Sequence, residues 1–435
     1  MGDHRATAKV RVNGAPAEAT LFCTDPPGAA NGGGGDGGEL RWRCAGGAAA
    51  ERVLSLDADV LGVEARGKEV IVKAFVLPAD AAARSVSCAA GAGKGGGGRR
   101  RRRRDYVFEM AAGEDAAAAW CDRMRGSLDS LGRPKRLFIL VNPFGGKKCG
   151  KKIYEAEIKP LFEAAGVNVT MQETRYQGHA REVASSLDLA RYDGIVCVSG
   201  DGVLVEVVNG ILQRMDWEEA MKIPIGVVPA GTGNGMAKSL LHSASKTYSV
   251  PNAVFAIIRG LVADIDIESE KYRWMGSARF DFYALVRIMN LRKYYGSSEW
   301  RSLDGPFVSI WINNVQWAAE SIMAAPGAKF SDGYMDAVIV RDCPKADLLA
   351  LLMKMGDGSH VKSPYVTYLK VRCLRLSPGQ LVENPKRGGI IDVDGEAIAR
   401  GEGTYGKNQK QDVMGYGPSI QMTVHRALAT MYCPK

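Results

Sequence analysis

The sequence predicts three regions of different class: a small β-rich N-terminal region over residues 1–130, an α/β lobe over 131–260, and a mainly-β, sandwich-type C-terminal lobe over 261–435. Three observations carry this. Short apolar runs alternate with glycine-rich breaks up to about residue 130. From Arg136 buried-type strands alternate with amphipathic helices. After Leu261 most apolar runs alternate with a period of two.

In the first region the candidate strands are Ala19–Cys23, Glu39–Cys44, Arg52–Leu56, Val60–Ala65, Val70–Phe75 and Tyr106–Met110. Two low-complexity loops, Asn31–Gly38 and Ala89–Arg104, interrupt them and lack the apolar content to pack a core. Glu114–Leu131 then reads as one helix, with Ala116, Trp120, Met124 and Leu128 on a face. Strands closed by a single tryptophan-bearing helix suggest a pleckstrin-homology-like unit.

In the second region Arg136–Val141, Val167–Gln172, Gly194–Ser199 and Pro224–Val228 are strands. Lys152–Ala165, His179–Leu189, Val203–Gln213 and Gly235–Leu241 are helices, and Gly166 is a C-cap. The third region has strands at Phe307–Asn313, Met335–Arg341, Thr367–Leu376 and Gly389–Asp394, and a helix at Lys345–Met355. Arg279–Leu291 reads as a helix linking the lobes.

Composition narrows the function classes. The chain has 435 residues, 46% hydrophobic and 24% charged, which excludes wholesale disorder. Six of its nine net positive charges are Arg99–Arg104, so the basic bias is one segment and not a basic fold surface. No aromatic or groove-reading element accompanies that run, which argues against nucleic acid as a partner. It suits contact with an anionic membrane surface, where each basic residue contributes about 1 kcal/mol. Nothing approaches the ~18 apolar residues of a spanning helix, and the first residues resemble neither a secretory signal nor a myristoylation site. Nine scattered cysteines without a C-x-x-C pair predict reduced thiols and a cytoplasmic protein.

The chemistry is concentrated in three loops. Asn142-Pro-Phe-Gly-Gly146, Ser199-Gly-Asp-Gly202 and Pro229-Ala-Gly-Thr-Gly-Asn234 each follow a strand of the α/β region. In open α/β sheets ligands bind at the carboxyl ends of strands, where small residues and helix N-termini admit phosphate. The lobe is therefore expected to bind a nucleotide. Gly145–Lys152 nearly matches a P-loop, but Lys152 stands where the Mg²⁺-binding hydroxyl belongs, so a P-loop enzyme is rejected. Asp201 sits between two glycines after a buried strand. Its carboxylate could take a proton from an attacking hydroxyl or help hold Mg²⁺; it could equally cap the helix that begins at Val203.

These residues resemble a known group. Ser199–Gly210 (SGDGVLVEVVNG) with Pro229–Asn234 is similar to the diacylglycerol-kinase-type lipid kinases. Leu261–Arg273 (LVADIDIESEKYR) and Ile391–Glu396 (IDVDGE) are similar to the sphingosine, or long-chain base, kinases, most closely those of plants. The likeness runs from Arg133 to Lys435. It implies ATP and Mg²⁺ as cofactors and a long-chain base lipid as the phosphate acceptor. It implies that Asn142, Pro143, Phe144, Thr174, Arg175, Tyr176, Gln177, Gly178, Glu206, Gly231, Thr232, Gly233, Arg273, Arg279, Asp394, Gly395 and Glu396 surround ATP. Ser199, Gly200, Asp201, Gly202 and Asp266 would face the lipid, with Asp201 the base and Asp266 the partner of the amine. Read without the resemblance, Asp264, Asp266 and Glu268 are the outer face of a strand.

The chain departs from that pattern twice. Relatives carry an extra segment, including an apolar strand, where Gly260 here runs directly into Leu261. They also carry a long loop between Gly296 and Ser297. The first loss predicts exposed apolar edges or a change of strand register. It leaves open a weakly active or silent form that only binds lipid or a partner, beside the further alternatives of a diacylglycerol, ceramide or NAD kinase.

Overall fold

The computed structural model describes residues 5–23, 38–44, 51–77, 101–145, 148–270, 284–286, 293–295, 299–377, 380–381, 384–388, 390–393, 396–400, 414–415 and 419–434. The N-terminal region is one antiparallel sheet of seven strands: β1 (Arg5–Val12), β2 (Ala15–Phe22), β3 (Glu39–Cys44), β4 (Arg52–Ser55), β5 (Val60–Arg66), β6 (Glu69–Val76) and β7 (Arg102–Met110). Their order is β4-β3-β2-β1-β7-β6-β5. Helix α1 (Glu114–Ser130) packs Trp120, Met124 and Leu128 into the same core as Val70, Val72 and Phe108. The first strand was not expected from the sequence. Its pairing is set by the two-residue turn Asn13-Gly14, both at positive φ (49° and 87°), the chemistry a tight hairpin requires.

The arginine run is corrected too. Arg102–Arg104, expected within a loop, open β7 and pair with Val76, Phe75 and Ala74. Backbone pairing to β6 recruits them whatever their side chains, because the sheet needs a partner for that edge.

The second sheet holds β8 (Arg136–Val141), β9 (Asn168–Glu173), β10 (Gly194–Ser199) and β11 (Ile225–Pro229), mutually parallel where paired. The expected helix at Lys152–Ala165 is three pieces: Gly150–Ile153, a π-helical turn Tyr154–Ile158, and α2 (Lys159–Ala164). Pro160 has no N–H to return to the preceding turn, which accounts for the wider winding before it. Helices α3 (His179–Ser186), α4 (Asp201–Leu212), α5 (Gly235–Ser243) and α6 (Val250–Arg259) follow the strands. The sheet then continues past residue 260 with β12 (Val262–Glu270). The chain's last long strand, Ile420–Tyr432, lies between β12 and β11. The α/β sheet is thus completed from the chain's end, and a division at 260/261 does not separate the sheets.

The third sheet brings together β13 (Ala284–Val286), β14 (Phe307–Asn313), β15 (Met335–Arg341), β16 (Val366–Val371) and the pair Ile390–Val393 and Glu396–Arg400. Within the expected linking helix Arg279–Leu291, Ala284–Val286 is strand. Its apolar residues pair with Ile310–Ile312 on one side and Ile391–Val393 on the other. The remainder of that segment lies outside the described residues.

The first two regions meet at a packed seam. Leu61 and Phe75 join the core of Leu161, Phe162, Phe255 and Ile258, and Gly62 lies so close to Ala164 that a Cβ would meet its carbonyl at 2.5 Å. Asp57 receives two guanidinium groups: Arg133, buried, at 2.7 Å, and Arg259, at the end of α6, at 2.5 Å. Burial is the main force on Arg133 and lowers its pKa to about 10, with Asp57 opposing. Arg101 adds a contact from the arginine run, reaching Asp59 at 2.9 Å and lying 5.2 Å over the Phe255 ring.

Candidate active site

The registers Val198↔Val141, Ser199↔Pro229 and Val141↔Glu173 put the carboxyl ends of β8, β9, β10 and β11 on one edge. All three expected loops and the Thr174–Gly178 turn therefore leave from the same side. Asn142 builds its loop locally, its side-chain oxygen accepting the N–H of Phe144 at 2.9 Å and of Gly145 at 3.0 Å. Phe144 is exposed at 62%, as is Tyr176 at 54%, while Thr174 is buried. Pro143 is half-buried, and Arg175 and Gln177 are exposed.

Asp201 opens α4 yet caps the following strand's helix. Its two carboxylate oxygens accept the N–H of Gly235 at 2.7 Å and of Met236 at 3.1 Å, at the start of α5. Its own N–H donates to the Gly233 carbonyl at 3.1 Å. The expected cap of its own helix is thus replaced by a cap across the cleft. Burial pushes the carboxyl above the ordinary aspartate range, and those two N–H groups pull the other way. Among the described residues no cation offsets the burial.

Glu206, one turn on, does the same for α3. Its oxygens accept the N–H of Gly178 at 2.8 Å and of Ala180 at 3.0 Å. It is neither a plain exposed residue nor a free carboxylate; it holds the turn expected to touch the nucleotide. Asn209, further along α4, is buried.

The glycines divide by neighbourhood. A Cβ on Gly231 would lie 2.3 Å from the Cα and N of Gly200, and one on Gly200 would meet the Gly233 carbonyl at 2.6 Å. These glycines let two loops press backbone to backbone. Gly202 has nothing within 4 Å and is exposed, as is Thr232, so there the backbone is open to a ligand. Buried Asn234 fastens the second loop, accepting the Gly231 N–H at 3.1 Å and donating to its carbonyl at 2.9 Å. Ser199 is buried and its hydroxyl donates to the Gly200 carbonyl at 2.6 Å. Asn234 was legible in sequence only as part of a small-residue turn.

One expected residue, Asp266, is not brought to this edge. Met431 pairs with Ile225, the first residue of β11, and β12 runs antiparallel from that level. By register Asp266 therefore leads beyond the amino end of β11, away from Asp201. It sits at the irregularity in pairing between Ile265 and Ile267. Glu396 pairs with Val393 in the third sheet. Arg273, Arg279, Asp394 and Gly395 lie outside the described residues. Among the described residues no group of three or more His, Cys, Asp or Glu converges to hold a metal ion.

Comparison with known proteins places this edge in a family. The model described as the diacylglycerol kinase catalytic domain matches residues 136–269, and the YegS C-terminal NAD kinase beta sandwich-like domain matches 256–405. Sphingosine kinase 2 of Arabidopsis thaliana is 45% identical over 466 positions, covering 92% of this chain and 93% of the relative. That span exceeds the 435 residues here, so the relative carries segments this chain lacks. Sphingosine kinase 1 of the same plant is 46% identical, covering 76% of this chain and 82% of the relative. Sphingosine kinase 1 of Homo sapiens is 30% identical, covering 64% and 90%. With both lobes matched and relatives aligned over most of their length, the chain belongs to the sphingosine kinases, of the plant type, within the diacylglycerol-kinase-like superfamily.

Proposed function

We propose that this chain transfers the γ-phosphoryl group of ATP to the primary hydroxyl of a sphingosine-type long-chain base, yielding the 1-phosphate. The observation that carries the reading is Asp201: a half-buried carboxylate with no cation partner among the described residues, at the meeting of the phosphate-type loops. An aspartate whose ionised form is disfavoured is a stronger base than a solvated one, which suits proton removal from an alcohol. In the proposed step an Asp201 oxygen takes the hydroxyl proton, the alkoxide oxygen bonds to the γ-phosphorus, and the bond to ADP breaks. Open backbone at Gly202, Thr232 and Gly233, with the Asn142 loop, would take the phosphate oxygens. Glu206 would position the Thr174–Gly178 turn, and Arg273, Arg279, Asp394, Gly395 and Glu396 keep the nucleotide role the family likeness implies; the likeness gives the amine to Asp266, which the register of β12 carries away from Asp201.

Mg²⁺ would accompany ATP and neutralise phosphate charge, held chiefly by the phosphates. Both Asp201 and Glu206 already spend lone pairs on backbone N–H groups, and no step is assigned to the metal. The N-terminal region is read as a pleckstrin-homology-type unit, supported by seven antiparallel strands closed by one helix. Exposed Arg102, Arg103 and Arg104 would touch an anionic membrane surface while the enzyme works from the cytoplasm. Among the described residues no helix is long and apolar enough to cross a membrane.

Transfer of radiolabelled phosphate from ATP to sphingosine, with Asp201→Asn as control, tests the reading. Folded protein that labels diacylglycerol or ceramide instead would move it to the neighbouring lipid kinases, and protein that labels none would sink it.

A further inference from the structure

We infer that helix α7 (Lys345–Met353), in the C-terminal lobe, lays its outer apolar face, Leu349, Leu352 and Met353, into the surface of an anionic phospholipid membrane. The inference rests on the proposed function for one point, that the phosphate acceptor is a lipid held in a membrane. The contact itself belongs neither to the nucleotide edge nor to the arginine run.

Helix α7 joins β15 to β16 and carries apolar residues on both sides. Leu351 is buried, and buried Met355 follows one turn on, so that side holds the helix to the protein. The other side meets water: Leu349 is exposed at 62%, Leu352 at 54% and Met353 at 79%. Lys345, Leu349 and Leu352 stand at i, i+4 and i+7, and Ala346, Leu349 and Met353 at i, i+3 and i+7, which puts all five on one face. Elsewhere among the described residues, exposed large apolar side chains stand one to an element, as on any protein surface. A surface helix needs one apolar stripe to fold onto its core, so the second stripe on α7 is left for a partner.

Charge selects that partner. Over 341–362 the exposed charged residues are Arg341, Lys345, Lys354 and Lys362 against Asp342 and Asp357. Lys345 stands on the apolar face itself. Asp347, two residues before Leu349, is half-buried on the far side of the helix. A second copy docked face to face would set Lys345 against a surface that offers it no acid. An anionic lipid surface suits both parts of the face. The leucines and Met353 enter the acyl boundary, and the lysine stem follows while its ammonium stays among the headgroups. A helix of nine residues lies in that interface and does not span it.

Packed segments tie α7 to the proposed base. Buried His360, just after the helix, has Nε2 3.1 Å from the Ala324 carbonyl, and a Cβ on Gly358 would meet the Met323 sulfur at 2.7 Å. Met323 pairs with Trp317, whose carbonyl a Cβ on Gly235 would meet at 2.3 Å. Gly235 in turn donates its N–H to Asp201. With the arginine run this gives the protein one apolar and one basic contact, and two such signals hold a membrane where one is marginal.

The test is sedimentation of the full-length protein with phosphatidylcholine vesicles containing about one-fifth phosphatidylserine, without sphingosine or ATP. The triple variant Leu349→Gln, Leu352→Gln, Met353→Gln should bind at least 10-fold more weakly, because contributions from separate contacts multiply in the partition coefficient. Its melting temperature should stay within about 2 °C of the parent, as expected for exposed positions. Leu352→Trp, which keeps the face apolar, should gain tryptophan emission over the parent that brominated phosphatidylcholine quenches. A parent that does not sediment, triple-variant binding within 2-fold of the parent, or added emission that bromolipid leaves unquenched overturns the inference. A dimeric parent made monomeric by the triple variant, with vesicle binding unchanged, overturns it in favour of a second copy. Phosphate transfer is absent from these measurements, so failure of the kinase reading and failure of this contact are read separately.

Discussion

Asp57 and Asp201 are both carboxylates set into the protein, at opposite ends of the α/β lobe's helices, and their surroundings separate structure from chemistry. Asp57 faces two guanidinium groups and ties the N-terminal sheet to the lobe. Among the described residues Asp201 faces backbone N–H groups and no cation, so its charge is oriented but not neutralised by them. A paired charge is inert to a substrate. An unpaired one in a dehydrated site can hold a proton.

The sharpest way to break that contrast is Asp201→Asn. We expect phosphate transfer to fall by about 10²–10⁴-fold, the range of a lost general base. Stability at neutral pH should change by no more than about 1 kcal/mol, since Asn keeps one acceptor for the Gly235 and Met236 N–H groups but carries no charge into the site. The sign follows from the raised carboxyl. Asp201's contribution to stability is complete below its unfolded value of 3.8 and is lost as pH rises through the higher folded value. Melting temperatures of the two proteins should therefore diverge in favour of Asn across that window. The acidic limb of the rate profile should lie above the ordinary aspartate range. A limb at the ordinary value would remove Asp201 as the base.

Asp57→Ala should act on the other axis. Two guanidinium groups lose their partner, one of them buried, and urea unfolding should show a loss of about 3 kcal/mol. A loss of activity with unchanged stability would erase the distinction between the two aspartates.

Within the edge itself, two glycines sharpen the comparison. Gly231→Ala puts a methyl 2.3 Å from Gly200 backbone and should cost about 1–3 kcal/mol. Gly202→Ala meets nothing within 4 Å, so its melting temperature should match the parent while KM for ATP rises. Equal melting temperatures in both variants would contradict the loop-to-loop contact. The smallest effect is Glu206→Gln, which keeps one acceptor for two N–H groups and should cost about 1 kcal/mol by thermal melt.

Much of the fold was legible because local patterns agreed with burial. Arg136–Val141 and Gly194–Ser199 read as buried strands and are, apart from exposed Arg136 at the sheet's rim. Short Ala284–Val286 was misjudged as helix because three apolar residues suit either period, and only the flanking strands select one. The strand Ile420–Tyr432 went unrecognised because its place, beside a strand nearly 200 residues earlier, leaves no local trace. Arg101–Arg104 read as surplus charge because sequence shows no partner; Asp59, Phe255 and β6 supply it.

The sequence alone determined that phosphate-type loops follow parallel strands, and that Asp201 lies in one of them. Those features are written in adjacent residues, where small side chains and a strand–turn–helix rhythm suffice. Only the tertiary structure decided what the side chains do there. It made Asp201 and Glu206 caps for helices other than their own, divided the glycines between loop packing and open backbone, and carried Asp266 along a strand away from the edge. Each of these depends on which backbone groups from distant segments are left unpaired at that point in space, a condition that no stretch of sequence contains by itself.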